Sequence, residues 1–135
     1  TELLRAWNQI QEDFKDTWLV IVGAPGSVHR TEYLPTTIAR VLYLGYVDED
    51  ALPGLYANAV LFVMPSIDEG FGLPTLEAMS CGTPVLASNG GALPEVVRDA
   101  GLIFDLADLD ALSQSMRQCL RDQDLRLWLS GKGLA

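Results

Sequence analysis

The sequence predicts an open α/β domain in which a parallel sheet is covered by helices on both faces. Short apolar runs without polar alternation recur along the chain, and segments with helical spacing separate them. Continuous apolar strands are typical of parallel sheets buried on both faces, whose strands are joined by right-handed crossovers. A chain of 135 residues holds one core of this kind, so we expect a single domain over residues 1–135.

Five short apolar runs predict the strands. They are WLVIVG at 18–23, VLYLG at 41–45, AVLFVMP at 59–65, PVLAS at 84–88 and GLIFD at 101–105.

The segments before, between and after these runs predict helices. They lie at 3–14, 49–58, 74–81, 93–98 and from 108 onward. Apolar residues repeat at a helical period in the first, Asp48 is the expected N-cap of the second, and Pro74 suits the first position of the third, where its missing N–H would be unpaired. We expect Trp7, Trp18 and Trp128 to be core or packing residues.

Composition excludes several classes of function. Eighteen acidic and nine basic residues give a net charge of −9, which repels polyanions and argues against general nucleic-acid binding. The longest apolar run, 59–65, is too short to span a bilayer, and the N-terminus does not resemble a signal peptide. His29 is the only histidine, so a histidine-rich metal site is excluded. Cys81 and Cys119 are expected to be reduced, buried thiols of a cytoplasmic protein.

The stretch PSIDEGFGLPTLEAMSCGTP at 65–84 carries the clearest functional signal. It follows the third strand, and ligands of open parallel sheets bind in loops beyond the carboxyl ends of strands. Gly70 and Gly72 allow close approach of the backbone. The amides of Phe71, Gly72 and Leu73, at the positive end of the helix dipole, would then favour phosphate or sugar oxygens.

Two glutamates, Glu69 and Glu77, flank this turn. Ionised carboxylates only accept hydrogen bonds, so they repel a diphosphate but bind the hydroxyl pairs of a ribose or hexose well. Amides that bind phosphate lie next to carboxylates that bind hydroxyls in this stretch. The pattern therefore predicts a ligand with both groups, a sugar nucleotide.

Plainer explanations stay open for the same residues. A glutamate in the first turn compensates the helix dipole, and Asp68-Glu69-Gly70 also suits a solvated turn. Asp68 and Glu69 are potential ligands of a divalent cation, but adjacent acids point apart on an extended backbone, so we expect no metal. Ser88 to Gly91 either line the same cleft or form a simple turn.

The run MPSIDEGFGLPTLEAMSCGTPVLASNGGALPEVVRDAGLIFD at 64–105 resembles the C-terminal, donor-binding domain of the retaining family-4 glycosyltransferases. The shared pattern is two glutamates with seven residues between them, followed by AMSCGTPV and a GG-x-x-PEV segment. The resemblance implies a GT-B fold of two facing Rossmann-like domains, of which this chain would be most of one half.

The resemblance also implies roles for individual residues. Glu69 would be the catalytic residue that positions the donor sugar, and Glu77 would bind the ribose hydroxyls. The remaining donor contacts would come from Gly70, Phe71, Gly72 and Leu73, and the nucleobase would be bordered by Gly45, Tyr46 and Val47. No cofactor or metal is implied.

By the same resemblance, the reaction would transfer a hexose from a nucleotide sugar to an acceptor hydroxyl with retention. The segments GLP-T-LEAM and LPEVV-x-DAG are most similar to bacterial mannosyltransferases, so GDP-mannose is favoured and UDP-glucose is the alternative. The acceptor, a glycan or a lipid-linked sugar at the inner face of the membrane, would bind an N-terminal domain that this sequence does not contain.

One departure from the family pattern is important. The family's first strand, with an arginine and a lysine just after it, has no counterpart in the sequence. We therefore expect weak donor binding, no transfer by the 135 residues alone, and open sheet edges that invite self-association. Two other functions stay possible, a noncatalytic sugar-nucleotide module and a phosphate-binding regulatory domain of flavodoxin type.

Overall fold

The computed structural model describes residues 2–22, 38–65, 73–90, 93–97, 100–105 and 107–134. The strands within them are β1 (Leu19–Val22), β2 (Val41–Gly45), β3 (Phe62–Met64), β4 (Val85–Ser88) and β5 (Leu102–Phe104). The helices are α1 (Glu2–Ile10), α2 (Leu52–Asn58), α3 (Leu73–Ser80), α4 (Leu93–Val97), α5 (Leu109–Arg121) and α6 (Gln123–Leu134), with 3-10 turns at Gln11–Asp13 and Glu49–Ala51. Each strand and helix predicted from the sequence is confirmed.

Helix ends differ in detail from the sequence-based expectation. The α-helix α1 stops at Ile10 and continues only as a 3-10 turn, so Phe14 lies beyond it. Asp48 occupies the N-cap position before the turn that leads into α2, but its side chain makes no capping hydrogen bond. Asp108 does cap α5, since its Oδ1 accepts from the amide of Ala111 at 3.0 Å.

All strand pairs among the described residues are parallel, as predicted. β1 pairs with β2, with Leu19 opposite Val41, and β3, β4 and β5 pair in that order. No described strand joins β1 to β3, so the described strands form two sheets where the sequence suggested one.

One hydrophobic core lies on the face covered by α1 and α5, and it reaches both sheets. Its buried residues are Ala6, Trp7, Ile10, Leu86, Phe104, Leu112 and Met116. Leu19 and Val41 of the two-stranded sheet and Val63 of the three-stranded sheet pack against the same cluster. Thus α1 spans the boundary between the two sheets.

A second core lies on the opposite face of the three-stranded sheet, under α3 and α4. Its buried residues are Ala78, Met79, Val85, Ala87, Val97 and Ala100. Because neighbouring residues of β4 point to opposite cores, all four of its residues are buried, as expected for a strand covered on both faces.

Two of the three tryptophans are largely exposed, so they are not core residues. Trp7 is 1% exposed, but Trp18 is 60% and Trp128 is 52% exposed. Trp18 lies just before β1, whose residues alternate between half-buried and exposed because α1 covers only one face of that strand. Trp128 lies on the outer side of α6, where the ammonium group of Lys132 stands 5.4 Å from its ring centre.

Hydrogen bonds hold the residues just before β2, Ala39 and Arg40, against α1 and the turn that follows it. The indole Nε1 of Trp7 donates to the Ala39 carbonyl at 2.8 Å, and the Ala39 amide donates to Oε1 of Gln11 at 2.7 Å. Arg40 donates through Nε to the Thr17 carbonyl at 3.1 Å, and its guanidinium lies 5.8 Å from the Trp7 ring centre. Buried polar groups are thereby paired at the point where the two-stranded sheet meets the helix.

Neither cysteine forms a disulfide, as expected. Cys119 is buried, and burial raises the pKa of its thiol to about 11; Cys81 is only half-buried. No helix in the described part of the chain is long and apolar enough to cross a membrane.

We expect Trp7→Phe to lower the free energy of unfolding by about 1–3 kcal/mol, because it leaves the Ala39 carbonyl without its partner. Trp128→Phe is the matched control, and its exposed ring predicts a change within about 0.5 kcal/mol. Urea denaturation followed by circular dichroism measures both. An equal decrease in the free energy of unfolding in the two variants would contradict the anchoring role of Trp7.

Candidate functional site

Helix α3 begins at Leu73, one residue before the predicted start at Pro74. Glu77 is therefore the fifth helical residue. Pro74 lies in the first turn, where the lack of an N–H costs no helical hydrogen bond. The Leu73 amide stands at the positive end of the helix, as the predicted anion-binding role requires.

One side of α3 is buried and the other is exposed. Thr75, Ala78 and Met79 are buried towards the sheet, whereas Leu76 and Glu77 are exposed. The Oγ1 atom of Thr75 is buried without a hydrogen-bond partner. Glu77 is thus open to solvent on the exposed side of the helix, one turn after Leu73, and its role in binding ligand hydroxyls stays a prediction.

The neighbour of Glu77 on α2 is Tyr56. Burial raises the pKa of the Tyr56 phenol, and the negative charge of Glu77 raises it further. The Tyr56 ring meets the Phe62 ring edge to face, with centres 5.5 Å apart and planes at 88°. The Tyr56 carbonyl accepts a hydrogen bond from the Thr83 hydroxyl.

The predicted nucleobase loop leaves the carboxyl end of β2. Gly45, the last residue of the strand, has a φ of +66°, a left-handed conformation that favours glycine. Tyr46 is 77% exposed and Val47 is half-buried. The loop therefore offers its backbone and an aromatic side chain to solvent. Its role in base binding stays a prediction.

The residues after β4 form a local turn. Ser88 is buried, and its Oγ accepts from the amide of Gly90 at 3.3 Å. The Asn89 amide donates to the Phe104 carbonyl at 2.9 Å. These contacts match the simple turn that the sequence left open, and Gly91 lies outside the described residues.

Four of the predicted donor contacts also lie outside the described residues, namely Glu69, Gly70, Phe71 and Gly72. Their assigned roles stay predictions, as does the rejection of a metal at Asp68 and Glu69. Within the residues that the structure does describe, no three histidine, cysteine, aspartate or glutamate side chains cluster to hold a metal ion.

Sequence reasoning missed Tyr56 and Thr83. Tyr56 belongs to no charged or glycine-rich motif, and its only local signal is its place in a short helix before an apolar strand. Thr83 lies in the recognised stretch, but its bond to Tyr56 spans 27 residues of sequence. The docking of α2 on α3 brings these groups together.

A family model described as glycosyl transferases, group 1, matches residues 1–133. The O-antigen chain mannosyltransferase B of Escherichia coli is 56% identical over 95 residues, which are 70% of this chain and 25% of that protein. A GDP-mannose-dependent monoacylated alpha-(1-6)-phosphatidylinositol monomannoside mannosyltransferase of Corynebacterium glutamicum is 32% identical over 98% of this chain and 37% of its own length. The chain thus spans 25% to 37% of the length of these curated relatives.

Solved structures share the fold. Sucrose-phosphate synthase of Thermosynechococcus elongatus superposes with a TM-score of 0.84 at 31% identity, over 98% of this chain and 35% of that one. The glycosyltransferase WaaG, involved in lipopolysaccharide biosynthesis, superposes with the same TM-score at 22% identity, over 98% and 37% of the two chains. The predicted Rossmann-like fold of parallel sheets and helices is confirmed.

We expect Gly45→Ala to lower the free energy of unfolding by about 1–2 kcal/mol, because a side chain at this φ is strained even though the space around it is open. Gly54→Ala is the matched control, since Gly54 also faces open space but lies in α2 with an ordinary φ. The control should raise stability by about 0.4–1 kcal/mol. Thermal melts of both variants measure the difference, and a shift of the same sign in both would refute the conformational role of Gly45.

Proposed function

The chain belongs to the group 1 glycosyl transferases, and we propose that it is the donor-binding half of a retaining hexosyltransferase. The observation that carries the proposal is the exposed Glu77 on α3, one helical turn after the Leu73 amide at the helix start. A helix start offers amides to phosphate oxygens, and an exposed carboxylate offers acceptors to hydroxyls. A sugar nucleotide carries both groups.

In the proposed complex, the Leu73 amide and those of Gly70, Phe71 and Gly72 contact the donor sugar and diphosphate. Glu77 accepts hydrogen bonds from the ribose hydroxyls, and Glu69 positions the hexose as the catalytic residue. Amides directed at the departing diphosphate stabilise the charge that develops in the transition state. No metal ion or other cofactor takes part in this scheme.

GDP-mannose is the favoured donor. Two relatives support it by name, because one is a mannosyltransferase and the other is described as GDP-mannose-dependent. UDP-glucose is the competing donor, and it would bind through the same diphosphate and ribose contacts.

Since the chain spans only part of its relatives, the rest of the site is assigned to other segments of a longer protein. Those segments would supply the cations that face the diphosphate and the acceptor site for a glycan or lipid-linked sugar, in the cytoplasm at the inner face of the membrane. A diphosphate near carboxylates and without cations is bound weakly. The 135 residues alone are therefore expected to transfer no hexose.

Hexose transfer by the longer protein tests the function. We expect Glu69→Ala to lower kcat about 10²–10³-fold, as the loss of a transition-state contact does, and Glu77→Ala to act mainly by raising KM for the donor. Glu12→Ala, which removes an exposed carboxylate far from the helix start in sequence, is the control and should change neither constant. Release of the labelled hexose from GDP-mannose and UDP-glucose gives both constants.

Transfer unchanged in both glutamate variants would refute the proposal. Nucleotide-sugar binding without transfer by the unmodified protein would instead favour the alternative, a noncatalytic nucleotide-sugar binding or interaction module.

We further propose that the 135 residues self-associate through the unpaired sides of β1 and β3, which each pair with one strand among the described residues. Unpaired strand edges present amides and carbonyls to other chains. Light scattering after size exclusion should show the dimer fraction rising with concentration, and Val20→Lys, on β1, should lower it because a charge blocks edge pairing. A monomer at every concentration would contradict this.

A further inference from the structure

We propose that the Thr75 hydroxyl binds the donor diphosphate: it donates a hydrogen bond to a phosphate oxygen at the start of α3, beside the Leu73 amide. This role rests on the donor-binding function proposed above. It adds a side chain to a phosphate site that is otherwise built from backbone amides, and the residue belongs neither to the glycine turn nor to the pair of glutamates.

The Thr75 side chain is an unpaired polar group in a fold whose other buried polar side chains are paired. Thr75 is 0% exposed, and its Oγ1 atom has no hydrogen-bond partner. The remaining buried polar side chains in the described part of the chain are hydrogen-bonded, namely those of Gln11, Thr83, Ser88 and Ser113. Because a buried hydroxyl without a partner destabilises a fold, this one points to a partner from outside the fold.

Thr75 also departs from the usual behaviour of a hydroxyl in a helix. Such a hydroxyl commonly donates to the carbonyl three or four residues earlier. Ser113 of α5 does so, since its Oγ donates to the Leu109 carbonyl at 3.1 Å. Thr75 makes no bond of this kind, so its proton is available to an acceptor beyond the helix.

The place of Thr75 in α3 directs the hydroxyl towards the helix start. Thr75 follows Leu73 by two residues, or about 3 Å along a helix axis. Helical side chains lean towards the N-terminus, so this one leans towards the first turn, where amides lack helical partners. That turn lies at the carboxyl edge of the three-stranded sheet, because α3 follows β3 and leads back to the parallel strand β4. Ligands of open parallel sheets bind at this edge.

A phosphate oxygen suits this hydroxyl better than a neutral acceptor. The positive end of the helix dipole favours anions, and a hydroxyl makes a shorter and stronger hydrogen bond to a charged oxygen. Ala78 and Met79, which follow on the same side of α3, are apolar and buried. The helix start is therefore the side from which a ligand oxygen reaches the hydroxyl, and the exclusion of water there strengthens the bond.

The contribution of the phosphates to nucleotide affinity tests this role. In the longer protein, calorimetry gives the dissociation constant of GDP or UDP, whichever binds more tightly, and displacement of that nucleotide gives the constant of its nucleoside. The readout is the ratio of the nucleoside constant to the nucleotide constant, because a general loss of stability would weaken both ligands alike.

Thr75→Val replaces the hydroxyl by a methyl group. We expect the ratio to fall about ten- to hundredfold, as loss of one hydrogen bond to a charged group predicts. The melting temperature of the ligand-free protein should rise, because an unpaired buried hydroxyl is removed. Thr75→Ser and Thr75→Ala form a second pair that differs by the hydroxyl alone, and only the serine variant should keep the ratio.

Ser113→Ala is the matched control. It removes a buried hydroxyl of α5 that is paired within the fold, so it should lower the melting temperature and leave the ratio unchanged.

The outcomes separate two failures. An unchanged ratio in Thr75→Val, with nucleotide still bound more tightly than nucleoside, would overturn the role of Thr75 and leave the proposed function standing. A lower melting temperature of ligand-free Thr75→Val would show that the hydroxyl is paired within the fold, which would also overturn the role. Failure of the unmodified protein to bind either nucleotide would refute the donor-binding function itself.

Discussion

The packing of α1 across the boundary between the two sheets is the interaction on which the rest of the structure depends. The sheets share no strand pairing among the described residues, and a two-stranded sheet is marginal by itself. Trp7 and Ile10 are buried in a core that also takes in Leu19 from one sheet and Val63 from the other. Side-chain burial under one helix therefore substitutes for backbone hydrogen bonds between strands.

The two faces of the three-stranded sheet carry different kinds of core. The face under α1 and α5 buries large apolar side chains, and its polar groups are paired at the entry to β2. On the opposite face, Ala78 of α3 and Ala87 of β4 are small buried residues of the same core, which lets the helix lie close to the sheet. The exposed side of α3 then carries Glu77 without placing a charge in either core.

The strands and helices could be predicted from the sequence, but the burial and the contacts that arise when they pack together could not. β4 was predictable because every residue of its run is apolar or small, and α3 because a proline follows a glycine turn. Trp18 was misjudged, since burial depends on which face of β1 a helix covers, and no local pattern encodes that. The hydrogen bond from the Thr83 hydroxyl to the Tyr56 carbonyl was missed for the same reason, because segments 27 residues apart must dock before the two groups meet.

In the proposed complex, distances along α3 would let one short helix serve two chemically opposed groups. A diphosphate next to a carboxylate is repelled, whereas a diol next to an amide gains little. Leu73 and Glu77 are four residues apart, or about 6 Å along a helix axis, so the amide and the carboxylate would address different parts of a nucleotide.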